Sequence, residues 1–144
     1  RLMPAKDLYH NAIKNALITD GWTILADPYR ISYEDADLYA DLAAARPLAV
    51  AKDNHKIVVE IKTFSGPSPL TSFHAALGQY VFYRDLIRAT APEFDLYLAT
   101  DHEAYQRVLL RPSVQLGLES NRVNLFVVDL NHEVIALWKP EITT

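Results

Sequence analysis

The stretch Lys56-Ile-Val-Val-Glu-Ile-Lys62 decides how this chain is read. Strand alternation sends Ile57, Val59 and Ile61 to one face and Val58, Glu60 and Lys62 to the other. The first face is core. The second has two readings. A Glu-x-Lys pair on a solvated strand is common and contributes little. The density of β-branched residues, however, is that of a central strand covered on both sides. A shielded Glu60–Lys62 pair would be a chemical site.

The flanking sequence favours a covered strand. Downstream, Gly66-Pro-Ser-Pro69 breaks the pattern, with Ser68 suited to cap a helix and Pro69 to open it. That helix is expected to run to about Ala89. Its Phe73, Ala76, Leu77, Tyr80, Val81, Tyr83 and Ile87 make most of its middle apolar, as in a helix packed on a sheet. Upstream, Ala5–Asp20 reads as an amphipathic helix stopped by Gly21, with Tyr9, Ala12, Ile13, Ala16 and Leu17 on one face. Trp22–Leu25 and Ile31–Tyr33 read as strands. Asp37–Ala44 reads as a further strand, with Leu38, Ala40 and Leu42 on one face and Asp37, Tyr39 and Asp41 on the other. Leu48–Ala51 is expected to continue the sheet before a turn at Asp53–Asn54.

Beyond the long helix, Phe94–Ala99 is a short buried strand. His102–Leu110 and Ser113–Ser120 are helices split by Pro112. Val123–Val128 and Val134–Trp138 are strands joined by a hairpin at Asp129–Glu133. No repeat or linker interrupts residues 1–144, so the expectation is a single α/β domain.

Composition limits the function classes. Half of the 144 residues are hydrophobic, enough to build a core. The formal net charge is −4, so contact with DNA would need a local patch, a metal ion or a partner. The chain has no cysteine, which excludes disulfides, thiolate metal sites and cysteine nucleophiles. Lys6 and Asp7 in a polar N-terminal stretch do not read as a signal peptide, and no apolar run would span a bilayer. A cytoplasmic protein with no membrane contact is the expectation.

A buried carboxylate at Glu60 could hold a hard divalent cation, given a second acid. Asp41 is the leading candidate, with Asp37 behind it on the same face. A strand-end turn or cap accounts for Asp41 equally well. Gln79 and Tyr83 share a helix face, where Gln79 could bond a metal-bound water or a phosphate and Tyr83 could add its hydroxyl. An ordinary core tyrosine with a polar neighbour is the plainer reading. Arg107, Arg111 and Arg122 could serve DNA, though scattered arginines are usually surface residues. His10 and Lys14 share a solvated helix face that could also meet a phosphate.

Asp41, Glu60-Ile-Lys62 and Gln79-Tyr-Val-Phe-Tyr83, in helix–strands–helix–strand order, resemble the restriction-endonuclease-like PD-(D/E)XK nuclease superfamily. The Gln-x-x-x-Tyr element is similar to its RecB-type branch. From about Ala5 to the end, the chain more closely resembles the XisH family. That likeness rests on Lys6-Asp-Leu-Tyr-His10, Lys14-Asn-Ala-Leu-Ile-x-Asp-Gly-Trp-Thr-Ile24, Val59-Glu-Ile-Lys62-x-Phe64 and Phe73-His-x-Ala-Leu-Gly-Gln-Tyr80.

The resemblance implies a restriction-endonuclease-like core, a mixed central sheet flanked by helices. It implies a Mg²⁺ or Mn²⁺ site made by Asp41, Glu60 and the carbonyl of Ile61, with Lys62 as catalytic lysine and Gln79 as accessory group. It also implies a controlling factor for excision of the fdxN element, working with a small XisI-type partner while a separate recombinase cuts and rejoins the DNA. An active metal-dependent DNA endonuclease, or a non-catalytic homodimeric or hetero-oligomeric binding domain, are the alternatives. Two departures stand out. Ala40 occupies the position the motif gives to proline, and the first helix lacks the glutamate many such nucleases aim at the metal, leaving Asp7 or His10 as substitutes.

Overall fold

A computed structural model describes residues 5–48 and 54–142. Its centre is a six-stranded mixed sheet with order β1-β4-β5-β6-β7-β8. The strands are β1 (Thr23–Ala26), β4 (Leu42–Pro47), β5 (Asn54–Ile61), β6 (Phe94–Asp101), β7 (Leu125–Asp129) and β8 (Val134–Lys139). The β5–β6 and β6–β7 pairs are parallel and the remaining pairs antiparallel. β2 (Tyr29–Tyr33) and β3 (Ala36–Ala40) form a separate antiparallel hairpin between β1 and β4.

Both faces of the sheet are covered, which is why β5 is apolar on both sides. Helix α1 (Ala5–Thr19) lays Ile13, Ala16 and Leu17 on the face carrying Ile57, Val59, Ala99 and Phe126. Helix α2 (Pro69–Thr90) covers the other face through Phe73, Ala76, Tyr80 and Ile87, against Val58, Leu96 and Leu98. Ser68 caps α2 as its sequence suggests, accepting from the Thr71 N–H at 3.3 Å. The β2–β3 hairpin rests on α2 through Ile31. Among the described residues, no helix is long and apolar enough to cross a membrane.

Three expectations need correction. Asp37–Ala44 is not one strand: the chain bends at Asp41, so Ala36–Ala40 belongs to the hairpin and Leu42–Pro47 to the main sheet. The bend also separates the residues expected on one face: Leu38 and Ala40 pack on the α2 side and Leu42 on the α1 side, although their spacing in the sequence does not reveal it. The main-sheet strand ends at Pro47, leaving Leu48 outside it; residues 49–53 lie outside the described residues, and Asn54 opens β5. The expected helix His102–Leu110 is a short α-helical turn (α3, His102–Ala104) followed by a π-helical turn over Tyr105–Leu109. The Leu110 N–H reaches back to the Tyr105 carbonyl at 3.0 Å. Helix α4 (Pro112–Ser120) follows.

Candidate functional site

Parallel β5 and β6 end at the same edge of the sheet, and antiparallel β4 begins there. This topology brings Asp41, Glu60, Lys62 and Asp101 to one edge, although the sequence separates the first and last by about 60 residues. Such carboxyl-end crevices are common ligand sites in α/β sheets.

Glu60 is 8% exposed on the face covered by α2. Its Oε1 accepts from the Asp41 backbone N–H at 3.3 Å, and the Lys62 Nζ lies 3.5 Å from its Oε2. Asp41 Oδ2 accepts from the Ile61 N–H at 2.7 Å. The bend at Asp41 thus lets its side chain fasten the end of β5 while its own amide meets Glu60. Lys62 lies one residue beyond β5, anchored by its N–H to the Ala99 carbonyl at 2.9 Å. Burial raises the Glu60 carboxyl to about 7; the nearby Asp41 charge adds to this and Lys62 only partly offsets it. At the end of β5 the carboxyl groups of Asp41 and Glu60 thus meet a single ammonium group, that of Lys62.

A cleft of about 760 Å³ opens in front of the pair, between the start of α1 and the ends of β5 and β6. Asp41, Ile61 and Lys62 line it, whereas Glu60 lies behind them. Lys6, Tyr9 and His10 of α1 supply one wall, and Asp101 and Glu103 another. The segment after β5 is held by Arg107. Its Nη1 donates to the Phe64 carbonyl at 2.9 Å while its Nε donates to Glu103 at 2.8 Å. Phe64 is buried in a left-handed conformation with φ 53°, unusual for a bulky residue. Arg107 therefore shapes the cleft wall and is not a free basic side chain.

The remaining expected residues divide clearly. Asp37 is outside the site: it is exposed on the hairpin and paired with Arg30 at 2.7 Å. Asp7 is exposed and does not line the cleft. His10 lines it, but Nε2 lies 2.9 Å from Asp27 Oδ1, and Lys14 donates to the same carboxylate at 2.8 Å. Gln79 is on the helix over Glu60's face but not in the cleft. Its Nε2 donates to the Tyr83 hydroxyl at 3.2 Å, and its buried Oε1 has no hydrogen-bond donor. Among the described residues, no group of three or more His, Asp or Glu side chains is close enough to enclose a metal ion.

Two residues of this edge escape sequence reasoning. Tyr9 reads as one more apolar helix position, yet its hydroxyl donates to Asp101 Oδ1 at 2.8 Å, accepts from the Asp101 N–H at 2.8 Å and lies 3.3 Å from Thr100 Oγ1. Burial pushes its hydroxyl pKa up, keeping it a neutral donor. Asp101 also caps α3 through the Ala104 N–H at 3.3 Å. Only a tyrosine placed unusually early on the buried face of α1 hints at such a fastening.

Comparison with known proteins gives a consistent relationship. Among curated proteins none matches the chain. An XisH family protein from Nostoc punctiforme PCC 73102 superposes with a TM-score of 0.82 and 35% identity, covering 92% of this chain and 98% of that one. An fdxN element excision controlling factor protein from Anabaena variabilis superposes with a TM-score of 0.80 and 34% identity, over the same shares. The family model for the XisH protein matches residues 3–136. By family match and by solved relatives, the chain belongs to the XisH family.

Proposed function

We propose that this chain is a controlling factor for excision of a DNA element, built on a restriction-endonuclease-like core whose Asp41–Glu60–Lys62 edge engages DNA with a divalent cation. The observation that carries this reading is the pair of adjacent carboxyl groups with Glu60 raised to about 7. The description of the Anabaena variabilis relative as an fdxN element excision controlling factor supports the biological role.

The donor set fits Mg²⁺ or Mn²⁺. Mg²⁺ is commonly held by one or two carboxylates, with waters and substrate phosphates filling the remaining positions. Asp41 and Glu60 supply hard oxygens and the Ile61 carbonyl could add another. The incomplete protein cage is therefore compatible with binding through substrate. Such an ion would lower the pKa of a bound water and offset phosphoryl charge.

The chain's own groups have separate tasks. Asp41 fastens the end of β5 through the Ile61 amide. Lys62 partly offsets the charge of Glu60 and, with its side chain 30% exposed in the cleft wall, is available to a phosphate. Gln79, on the covering helix and outside the cleft, keeps a buried Oε1 with no donor, which suits the accessory role.

Cleavage by this edge is the second reading, favoured by the Lys62–Glu60 juxtaposition. Supercoiled and branched DNA with Mg²⁺ or Mn²⁺ test it, using wild type and the Glu60→Ala and Lys62→Ala variants. Cutting lost in both variants supports an endonuclease. Cutting that persists in both assigns the activity elsewhere. For the controlling role, co-purification with an XisI-type protein and cation-dependent DNA binding are expected. Absence of both at micromolar concentration contradicts that role.

A further inference from the structure

At the opposite edge of the sheet, the end of α2, the start of β6 and the turn after α4 enclose a small pocket of about 130 Å³. Arg84, Arg88 and Arg122 line it with Asn124 and Asp95. β6 spans eight residues from this edge to the cleft edge, or roughly 25 Å at ~3.3 Å per residue. The pocket is thus separate from the cleft. It is also much smaller than the ~300–1,000 Å³ of a site for a drug-sized molecule.

Carboxylates neutralise only some of the arginines in this acidic chain, and Arg111, outside the pocket, bonds the Arg107 carbonyl instead. Arg30, Arg46 and Arg107 each pair with a carboxylate. Arg84, Arg88 and Arg122 form no carboxylate pair among the described residues. Arg84 and Arg88 lie four residues apart on α2, a like-charge spacing that costs stability unless a counter-charge is present. The last-turn position of Arg88 suits the helix dipole, but this does not account for Arg122 on a different segment.

The guanidinium of Arg84 is already positioned. Its Nη1 donates to the carbonyls of Asn121 at 2.6 Å and Arg122 at 3.4 Å, and its Cζ lies 5.3 Å from the Tyr80 ring centroid. Its buried Nε has no hydrogen-bond acceptor. Arg122 stands in a left-handed turn with φ 51°, its N–H fixed to the Glu119 carbonyl at 3.1 Å. The one acid lining the pocket, Asp95, has its Oδ2 3.1 Å from His55 Nε2. A planar guanidinium held in advance gives up little freedom on binding, which favours a tetrahedral oxyanion.

We propose that Arg84, Arg88 and Arg122 form a phosphoryl-binding site distinct from the cleft, fitted to a single phosphate group. That group comes either from a DNA backbone or from free phosphate and phosphomonoesters. The proposal does not depend on the metal reading of the cleft.

Inorganic phosphate is titrated into ¹⁵N-labelled full-length chain at low salt, for wild type and for the Arg88→Ala/Arg122→Ala double variant. Arg84 is left in place because its carbonyl bonds are structural. Saturable shifts at the Arg88, Arg122 and Asn124 amides are expected, with about tenfold or greater weakening in the double variant. No saturable shift in wild type, or equal affinity in the two proteins, overturns the site. A folded amide spectrum of the double variant shows that any loss is not unfolding.

A second arm measures binding of a short duplex DNA against salt concentration. A salt slope reduced by about one or two in the double variant assigns the pocket to backbone phosphate. An unchanged slope, with phosphate binding lost, assigns it to free phosphate or a phosphomonoester.

Discussion

Replacing Glu60 with glutamine isolates the cost of keeping a carboxylate at the end of β5. Burial and the Asp41 charge raise the folded-state value from 4.5 to about 7. The folded chain therefore holds this proton more tightly than the unfolded chain. Below about pH 4 both states are protonated and the folded state has its full advantage. Between about 4.5 and 7 the unfolded chain ionises first, so stability falls as pH rises; above about 7 the loss is complete. The shift corresponds to ~3 kcal/mol, an upper value for a carboxyl group still 8% exposed and partly balanced by Lys62. Glu60→Gln preserves the shape and an acceptor for the Asp41 N–H but cannot ionise. Urea unfolding at about pH 5, 6, 7 and 8 should show wild type losing about 1–3 kcal/mol across this window. The variant should lose less and be the more stable protein at pH 8. Equal pH slopes, or a variant less stable than wild type at pH 8, would refute the argument that burial and Asp41 burden this carboxylate.

Four further substitutions test the surrounding structure. Tyr9→Phe removes the hydroxyl bonded to Asp101 and should cost about 1–2 kcal/mol. Hydrogen exchange should accelerate at the Asp101 amide and the start of α1, and unchanged exchange there would contradict the fastening. The same Gly→Ala change should have opposite signs at two helical positions. At Gly117 a Cβ would meet the buried Phe73 ring at 3.1 Å, so Gly117→Ala should destabilise by about 1–3 kcal/mol. At Gly78 an added Cβ would meet nothing within 4 Å beyond its own helix backbone, and Gly78→Ala should stabilise by up to about 1 kcal/mol; thermal melts read both. Arg107→Ala should loosen the Thr63–Phe64 segment, seen as faster proteolysis there, because it removes the bond to the Phe64 carbonyl.

What was legible in the sequence was local. Alternation paired Glu60 with Lys62, and Ser68–Pro69 marked the start of α2, because both depend on neighbouring residues. Asp41 joined Glu60, but not through the expected strand: the chain bends there and begins a different sheet partner. Asp37 obeyed the same alternation and fell outside the site because periodicity does not report which sheet a segment joins. The Tyr9–Asp101 fastening crosses 92 positions, and no local pattern specifies it. Similarly, spacing does not distinguish Arg107 from scattered surface charge, because its partner Phe64 is 43 positions away.

The central claim is that Asp41 and Glu60 form a divalent-cation site. Calorimetric titration of Mn²⁺ into wild type and Asp41→Ala at about pH 6.5, in two buffers of different ionisation enthalpy, tests it directly. Near that pH part of the Glu60 population retains its proton, so cation binding should release protons. Saturable, proton-releasing binding in wild type that is lost in Asp41→Ala is the predicted result. No binding in wild type, or binding unchanged by Asp41→Ala, would contradict the claim.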